Sequence, residues 1–262
     1  MQRSPLYTIL FATAVCIVCA VVVSSAAVSL KERQDINSAL EKQRNVLIAA
    51  GLLGDEEKVS QDEIENRFAT IRSIVIDMET GEEAPDIDPQ TFDQKKEATN
   101  PDTSRVAPAN PALVKRLPDH ALVYLVQGES GEIDMIILPV EGYGLWSTLY
   151  GFIALDADLE TVRGITFYEH KETPGLGGEV DNPGWKAKWK GRMVYGEDGL
   201  PELEVIKGQA GPPAEDPFRV DGLSGATLTS RGVTNLVHFW LGENGFGPLL
   251  EKLESREERR AA

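Results

Sequence analysis

Cysteine is almost missing from this chain of 262 residues. The only two, Cys16 and Cys19, lie in the apolar run ILFATAVCIVCAVVVSS. The remainder therefore holds neither a disulfide framework nor a cysteine-ligated cluster. The C-x-x-C spacing matches a redox pair or half a metal site. No second pair completes it, and thiolates are costly in apolar surroundings, so the two read as small apolar helix residues. Histidine is scarce as well. His120, His170 and His238 are far apart, with no ligand cluster at zinc spacing. His238 reads as a core or boundary histidine. Basic residues are outnumbered, 26 Lys+Arg against 42 Asp+Glu, for a net charge of -16. That balance argues against nucleic-acid binding and against docking of the folded part on an anionic leaflet. The phosphate-binding P-loop, the H-E-x-x-H zinc motif, the G-x-S-x-G elbow and the G-x-G-x-x-G dinucleotide fingerprint are all absent.

Charge is also missing from one long stretch. No charged residue occurs between Arg3 and Lys31. The run from Leu6 to Leu30 exceeds the ~20 residues that cross ~30 Å of hydrocarbon. It also exceeds the ~7–15 residues of a signal-peptide core. The expectation is a retained transmembrane helix over 6–30 after a tail of residues 1–5; SSAAVS leaves a cleaved signal as the alternative. Positive charge flanks both ends, so charge asymmetry alone does not orient the span. A short tail before one span favours tail in and domain out. In a bacterium this means a single-pass inner-membrane protein with its soluble domain in the periplasm.

Residues 31–111 read as a helical stalk ending near Gly54, a short helix in SQDEIENRFATI, a strand in SIVIDM, and an acidic, proline-rich loop over 79–111. A compact domain is expected over 112–262. HALVYLVQGESGEIDMIILPV predicts a hairpin turning at GESG. LYGFIALDADLETVRGITFYEH predicts two more strands around DADLE, with later ones in KGRMVYG and PELEVIKGQ. Antiparallel strands with flanking helices make the fold class α+β.

Three segments stand out for chemistry. EGYGLWSTLYG sets Trp146 and Ser147 among glycines, either as an aromatic wall for a planar ligand or as a core plug. ETPGLGG forms a glycine-rich turn around Glu172, Thr173, Leu176 and Gly177. DGLSGATLTSRGV precedes apolar residues at Val233, Leu236, Val237, Trp240 and Leu241, the stripe of an amphipathic helix starting near Thr227. Hydroxyls at a helix start serve as caps. The same end, with free amides and a positive dipole, also suits a phosphate held there or attached to the threonine oxygen.

Together these segments resemble the FMN-binding domain family, in the form found in sodium-translocating NADH:quinone reductases. The resemblance covers nearly the whole chain except the acidic loop; D-x-x-S-G-A-T is its specific part. It implies FMN joined by a phosphoester bond to the last threonine of S-G-A-T, here Thr227, installed by a separate flavin transferase using FAD and magnesium. Asp221, Ser224, Gly225 and Ala226 become the surface that enzyme recognises, and Thr229 stays unmodified. The resemblance places Glu172, Thr173, Leu176 and Gly177 against the flavin; Trp146 and Ser147 are the next candidates, and Lys207 is a candidate phosphate or flavin partner. It implies an electron relay among other subunits of a membrane complex that oxidises NADH, reduces ubiquinone and exports sodium. Lacking a nicotinamide fingerprint, this chain leaves NADH oxidation to another subunit. Two alternatives remain at this point: the flavin subunit of an Rnf-type ferredoxin:NAD complex, and an anchored binding ectodomain with no redox role.

Overall fold

A computed structural model describes residues 4–128 and 131–261. The chain divides into two compact units, 1–42 and 43–262. Within the first, α1 (Pro5–Ala49) begins and contains an 18-residue window of mean hydropathy 2.7, none of it buried. Length and composition make this the candidate membrane span. Arg3, the nearest charge before the run, lies outside the described residues.

The second unit takes in the last turns of α1, where Val46, Leu47 and Ala49 are fully buried. The helix stops before the Gly54 expected to end the stalk. Gly51 adopts φ +70. Its amide donates to Ile48 O at 2.9 Å, and the Leu52 amide donates to Leu47 O at 2.9 Å. These two bonds satisfy the last helical carbonyls, and they need a residue that tolerates the left-handed region.

The elements that follow are α2 (Gln61–Phe68), β1 (Ile71–Asp77), α3 (Gln94–Thr99), β2 (Ser104–Val106), β3 (Arg116–Pro118), β4 (His120–Gln127), β5 (Ile133–Tyr143), β6 (Thr148–Asp156) and β7 (Val162–Glu169). After two short 3-10 turns flanking α4 (Pro183–Lys186) come β8 (Glu204–Val205), β9 (Arg219–Val220), α5 (Thr227–Leu241) and α6 (Gly247–Ala261). The main sheet is antiparallel with order β1-β4-β5-β6-β7. The predicted β4–β5 hairpin is present, and the central residues of its GESG turn lie outside the described residues.

Both faces of the sheet are covered. On one, Ile136, Leu138, Val140 and Ile153 pack against Val233, Leu236, Val237 and Trp240 of α5. On the other, Tyr124, Ile137, Phe152 and Ala154 pack against Val46, Leu47, Leu53 and Ile64. A strand buried on both sides reads as a continuous apolar run, which is why MIILPV shows no polar alternation.

Four expectations need correcting. The compact unit starts at Gln43 and uses β1 as an edge strand, so it reaches back beyond Ala112. The 79–111 segment is not a bare loop: Asp93 caps α3 by accepting from the Lys95 and Lys96 amides, and β2 pairs with β3. KGRMVYG forms only isolated bridges, and PELEVIKGQ contributes the two-residue β8, paired parallel with β9. A second helix, α6, follows α5 where no further element was expected.

Candidate functional site

α5 begins at Thr227, and its cap position is Ala226, which has no side chain able to bond the first-turn amides. The capping reading of the threonine therefore fails on position: Thr227 is the first helical residue. It is exposed, as are Ser224 and Gly225, while Ala226 faces the core at 5% exposure. Gly225 turns the chain into the helix with φ +71. Ser230 closes the turn from inside, its Oγ accepting from the Leu223 amide at 3.1 Å.

Thr227 lies on a cleft of about 810 Å³. Ser224, Gly225, Trp185, Lys188, Lys207 and Arg231 also line it. Lys188, Lys207 and Arg231 share the lining with two carboxylates, Asp221 and Glu204, and Lys188 is paired with Asp221; Lys207, Arg231 and the helix start are what favour an anion here. The volume falls inside the ~300–1,000 Å³ typical of small-ligand sites. Lys207, expected as a phosphate or flavin partner, is thus brought to Thr227.

Asp221 is not an exposed recognition residue. It is 9% exposed. Its Oδ1 accepts from the Ala210 amide at 2.9 Å, its Oδ2 pairs with Lys188, and its carbonyl accepts from Trp185 Nε1 at 2.8 Å. Burial pushes its carboxyl up, but Lys188 and the Ala210 amide outweigh this and hold it below the usual range. Its role is to fasten the cleft wall.

The two glycine-rich loops meet beside the same helix start. Glu172 is 5% exposed and Thr229 fully buried, and Thr229 Oγ1 donates to Glu172 Oε2 at 2.7 Å. Glu172 Oε1 accepts from the amides of Leu145, Trp146 and Ser147 at 3.1, 2.9 and 3.3 Å. Burial raises the Glu172 carboxyl; the Trp146 amide, the Thr229 hydroxyl and the other two amides more than offset it, so its pKa sits below the ordinary value. Ser147 Oγ accepts from the Lys171 amide at 2.7 Å. Thr173 O accepts from the Leu176 and Gly178 amides, closing the expected turn, with Gly175 at φ +76. Gly177 is buried against this pair. Trp146 does not plug the core: it is 65% exposed, and Leu176 44% exposed. Leu176 Cδ2 fills the space where a side chain on Gly225 would start.

Two of the three histidines are held by hydrogen bonds away from the cleft. His238 Nε2 bonds Leu203 O at 2.9 Å, and His170 lies between Asp181 and the Glu172 amide. Among the described residues no cluster of His, Cys, Asp and Glu could hold a metal.

The FMN-binding domain family model matches residues 144–242, which take in ETPGLGG and DGLSGATLTSRGV whole and the first motif from Gly144 onward. The NqrC protein of the Na(+)-translocating NADH-quinone reductase of Pseudomonas aeruginosa is 48% identical over 260 residues, 98% of each chain. Its Yersinia pestis counterpart is 47% identical over 249 residues, 94% of this chain and 92% of that one. This chain belongs to the NqrC family of Na(+)-translocating NADH-quinone reductases. The crystal structure of NqrC from Shewanella oneidensis superposes with a TM-score of 0.75 at 35% identity, covering 82% of this chain and 97% of that one. Of the complexes that the motifs left open, the NqrC relatives carry the quinone reductase's name. What sequence reasoning missed at this NqrC-family site were Lys188 and Arg231, which reach the cleft from distant or unremarkable segments, and Trp185, whose indole braces Asp221.

Proposed function

We propose that Thr227 carries FMN through a phosphoester bond and that this chain relays electrons between other subunits of a sodium-translocating NADH:quinone reductase. The observation that carries the reading is the exposed Thr227 hydroxyl, free of a capping role, opening on a cleft that Lys207 and Arg231 line at the start of α5. The residues fit the cofactor. The helix start and Lys207 suit a phosphodiester's single negative charge, and the exposed faces of Trp146 and Leu176 offer apolar cover.

In maturation, Thr227 Oγ1 forms a new bond to the FMN-side phosphorus of FAD. The pyrophosphate bond breaks, AMP leaves, and the hydroxyl proton passes to a base of the flavin transferase. Ser224 and Gly225, both exposed, give that enzyme access to the oxygen. A helix terminus favours an adjacent anion by only ~0.3–1 kcal/mol, too little to retain a cofactor alone, and a covalent bond adds the retention that this contribution lacks. Bound FMN supplies the electron-transfer chemistry; the chain supplies attachment, position and a partly apolar surround. The apolar part of α1 anchors the chain in the bacterial inner membrane, with the second unit on the periplasmic side.

The test is expression of the full chain with its flavin transferase, followed by a denaturing gel viewed under ultraviolet light. A fluorescent band lost in Thr227→Ala supports the assignment. An unmodified, colourless wild-type chain made with active transferase rejects it, and a band lost in Thr229→Ala but kept in Thr227→Ala moves the site.

A further inference from the structure

The resemblance places Glu172 against the flavin, yet its carboxylate is already fully engaged inside the protein. One oxygen gathers three consecutive amides, Leu145, Trp146 and Ser147; the other takes the Thr229 hydroxyl. Two glycines make room for it. A Cβ on Gly144 would stand 2.7 Å from Glu172 Oε1, and one on Gly177 would stand 2.6 Å from Oε2. Three separate segments therefore converge on this carboxylate: the Trp146 loop, the ETPGLG turn and the first turn of α5. Two groups they carry point the other way, to solvent: the Trp146 indole and the Thr227 hydroxyl.

We propose that Glu172 is a positioning residue for the flavin: it locks the Trp146 loop to the helix turn that bears Thr227, so that ring cover and attachment oxygen keep one fixed relation. An anion with four donors in a buried setting is suited to this. Hydrogen bonds to a charged acceptor are stronger than neutral ones, and one carboxylate satisfies amides that a tight loop cannot pair internally. Thr229 has its place for the same reason: its hydroxyl is the clasp on the helix side.

The flavin readout rests on the proposed attachment at Thr227, so the experiment includes one that does not. Full-length wild type, Glu172→Ala, Glu172→Gln and Thr229→Val are made with and without flavin transferase. In the flavin-free chains, exchange of the amide hydrogens of Leu145, Trp146 and Ser147 quickens about tenfold or more in Glu172→Ala, as loss of a charged acceptor requires. It falls between the two in Glu172→Gln, nearer wild type, because the side-chain oxygen still accepts but without the charge. In the flavin-loaded chains, Glu172→Ala keeps its fluorescent band on a denaturing gel but loses most of its visible-range flavin circular dichroism, and Glu172→Gln restores it. Thr229→Val, which leaves the three amide bonds in place, shows wild-type exchange and weakened dichroism. Unchanged exchange and dichroism in Glu172→Ala overturn the proposal. So does a loss of dichroism that Glu172→Gln fails to restore, because that marks a direct role for the charge. A wild-type chain without covalent flavin fails the Thr227 assignment and leaves the exchange result to decide the role of Glu172.

Discussion

Thr227 and Thr229 stand two residues apart on α5 and face opposite environments: Thr227 is exposed on the cleft, and Thr229 is fully buried with its hydroxyl 2.7 Å from Glu172 Oε2. A helix advances about 100° per residue, so positions i and i+2 point to nearly opposite sides. Only one of the two oxygens is therefore open to another enzyme. The other is committed to a hydrogen bond whose loss would leave a buried carboxylate short of a donor.

The first prediction concerns acid. The Glu172 carboxyl is held below its ordinary pKa in the folded chain, because its four donors outweigh the opposing effect of burial. A depressed carboxylate contributes stability above its unfolded pKa, and that contribution is lost as pH falls through the folded value. Wild-type stability therefore declines on acidification in that window. Glu172→Gln, which does not titrate, shows a shallower decline. Urea midpoints measured across the acid range check this; parallel slopes in the two proteins count against it.

A second prediction concerns the cleft wall. Arg192 is 3% exposed and donates to the carbonyls of Lys188, Gly211 and Asp216, fastening the segment that runs past Gly208 and Gln209. Arg192→Met leaves three carbonyls without that donor and costs about 3 kcal/mol. Arg192→Lys recovers only part, because an ammonium does not reproduce the planar fork. Chemical denaturation gives the values, and flavin incorporation falls in parallel.

Much of this site was legible in the chain because small residues and hydroxyls at a helix start have few uses. Thr227, Gly225 and Lys207 line one cleft, and the apolar stripe of α5 packs on the sheet. Two residues were legible in place but not in role. Asp221 and Glu172 sit in exposed-looking glycine-rich segments, and their burial depends on partners far away in sequence, Lys188 and Thr229. The elements within 79–111 were hidden for another reason. α3 has six residues with none buried, so it shows no apolar period; its order comes from its cap and from Gln94 and Lys95, which bond the Leu122 amide and Glu169. Gly51 rather than Gly54 ends α1 because the capping geometry, not the last glycine in the run, decides where a helix stops.

A third prediction concerns His170. Its Nε2 lies 2.8 Å from Asp181 Oδ2, and this bond raises its pKa above the ordinary value despite burial. A raised histidine contributes stability that is fully present below its unfolded pKa and lost as pH rises through its folded pKa. Asp181→Asn removes the partner charge, so the histidine then titrates at lower pH. Nuclear magnetic resonance titration of the ring protons reads the shift directly; an unchanged midpoint argues that the pair is not formed in solution.

The last prediction concerns Gly225, which couples backbone geometry to both loops. It holds φ +71, a region costly for residues with a side chain, and a Cβ there would stand 2.9 Å from Leu176 Cδ2. Gly225→Ala therefore strains the turn into α5 and pushes on Leu176 at once. The backbone effect alone costs about 1 kcal/mol, with the side-chain contact adding to it. If the chain instead relaxes by rotating the start of α5, the position of Thr227 changes while its chemistry does not. Both routes lower the melting temperature, but only the second slows flavin attachment by the transferase. Comparing the rate of flavin incorporation at equal folded fraction separates them. The close contact with Leu176, half exposed and free to move, predicts a stability loss in Gly225→Ala that Leu176→Ala partly relieves.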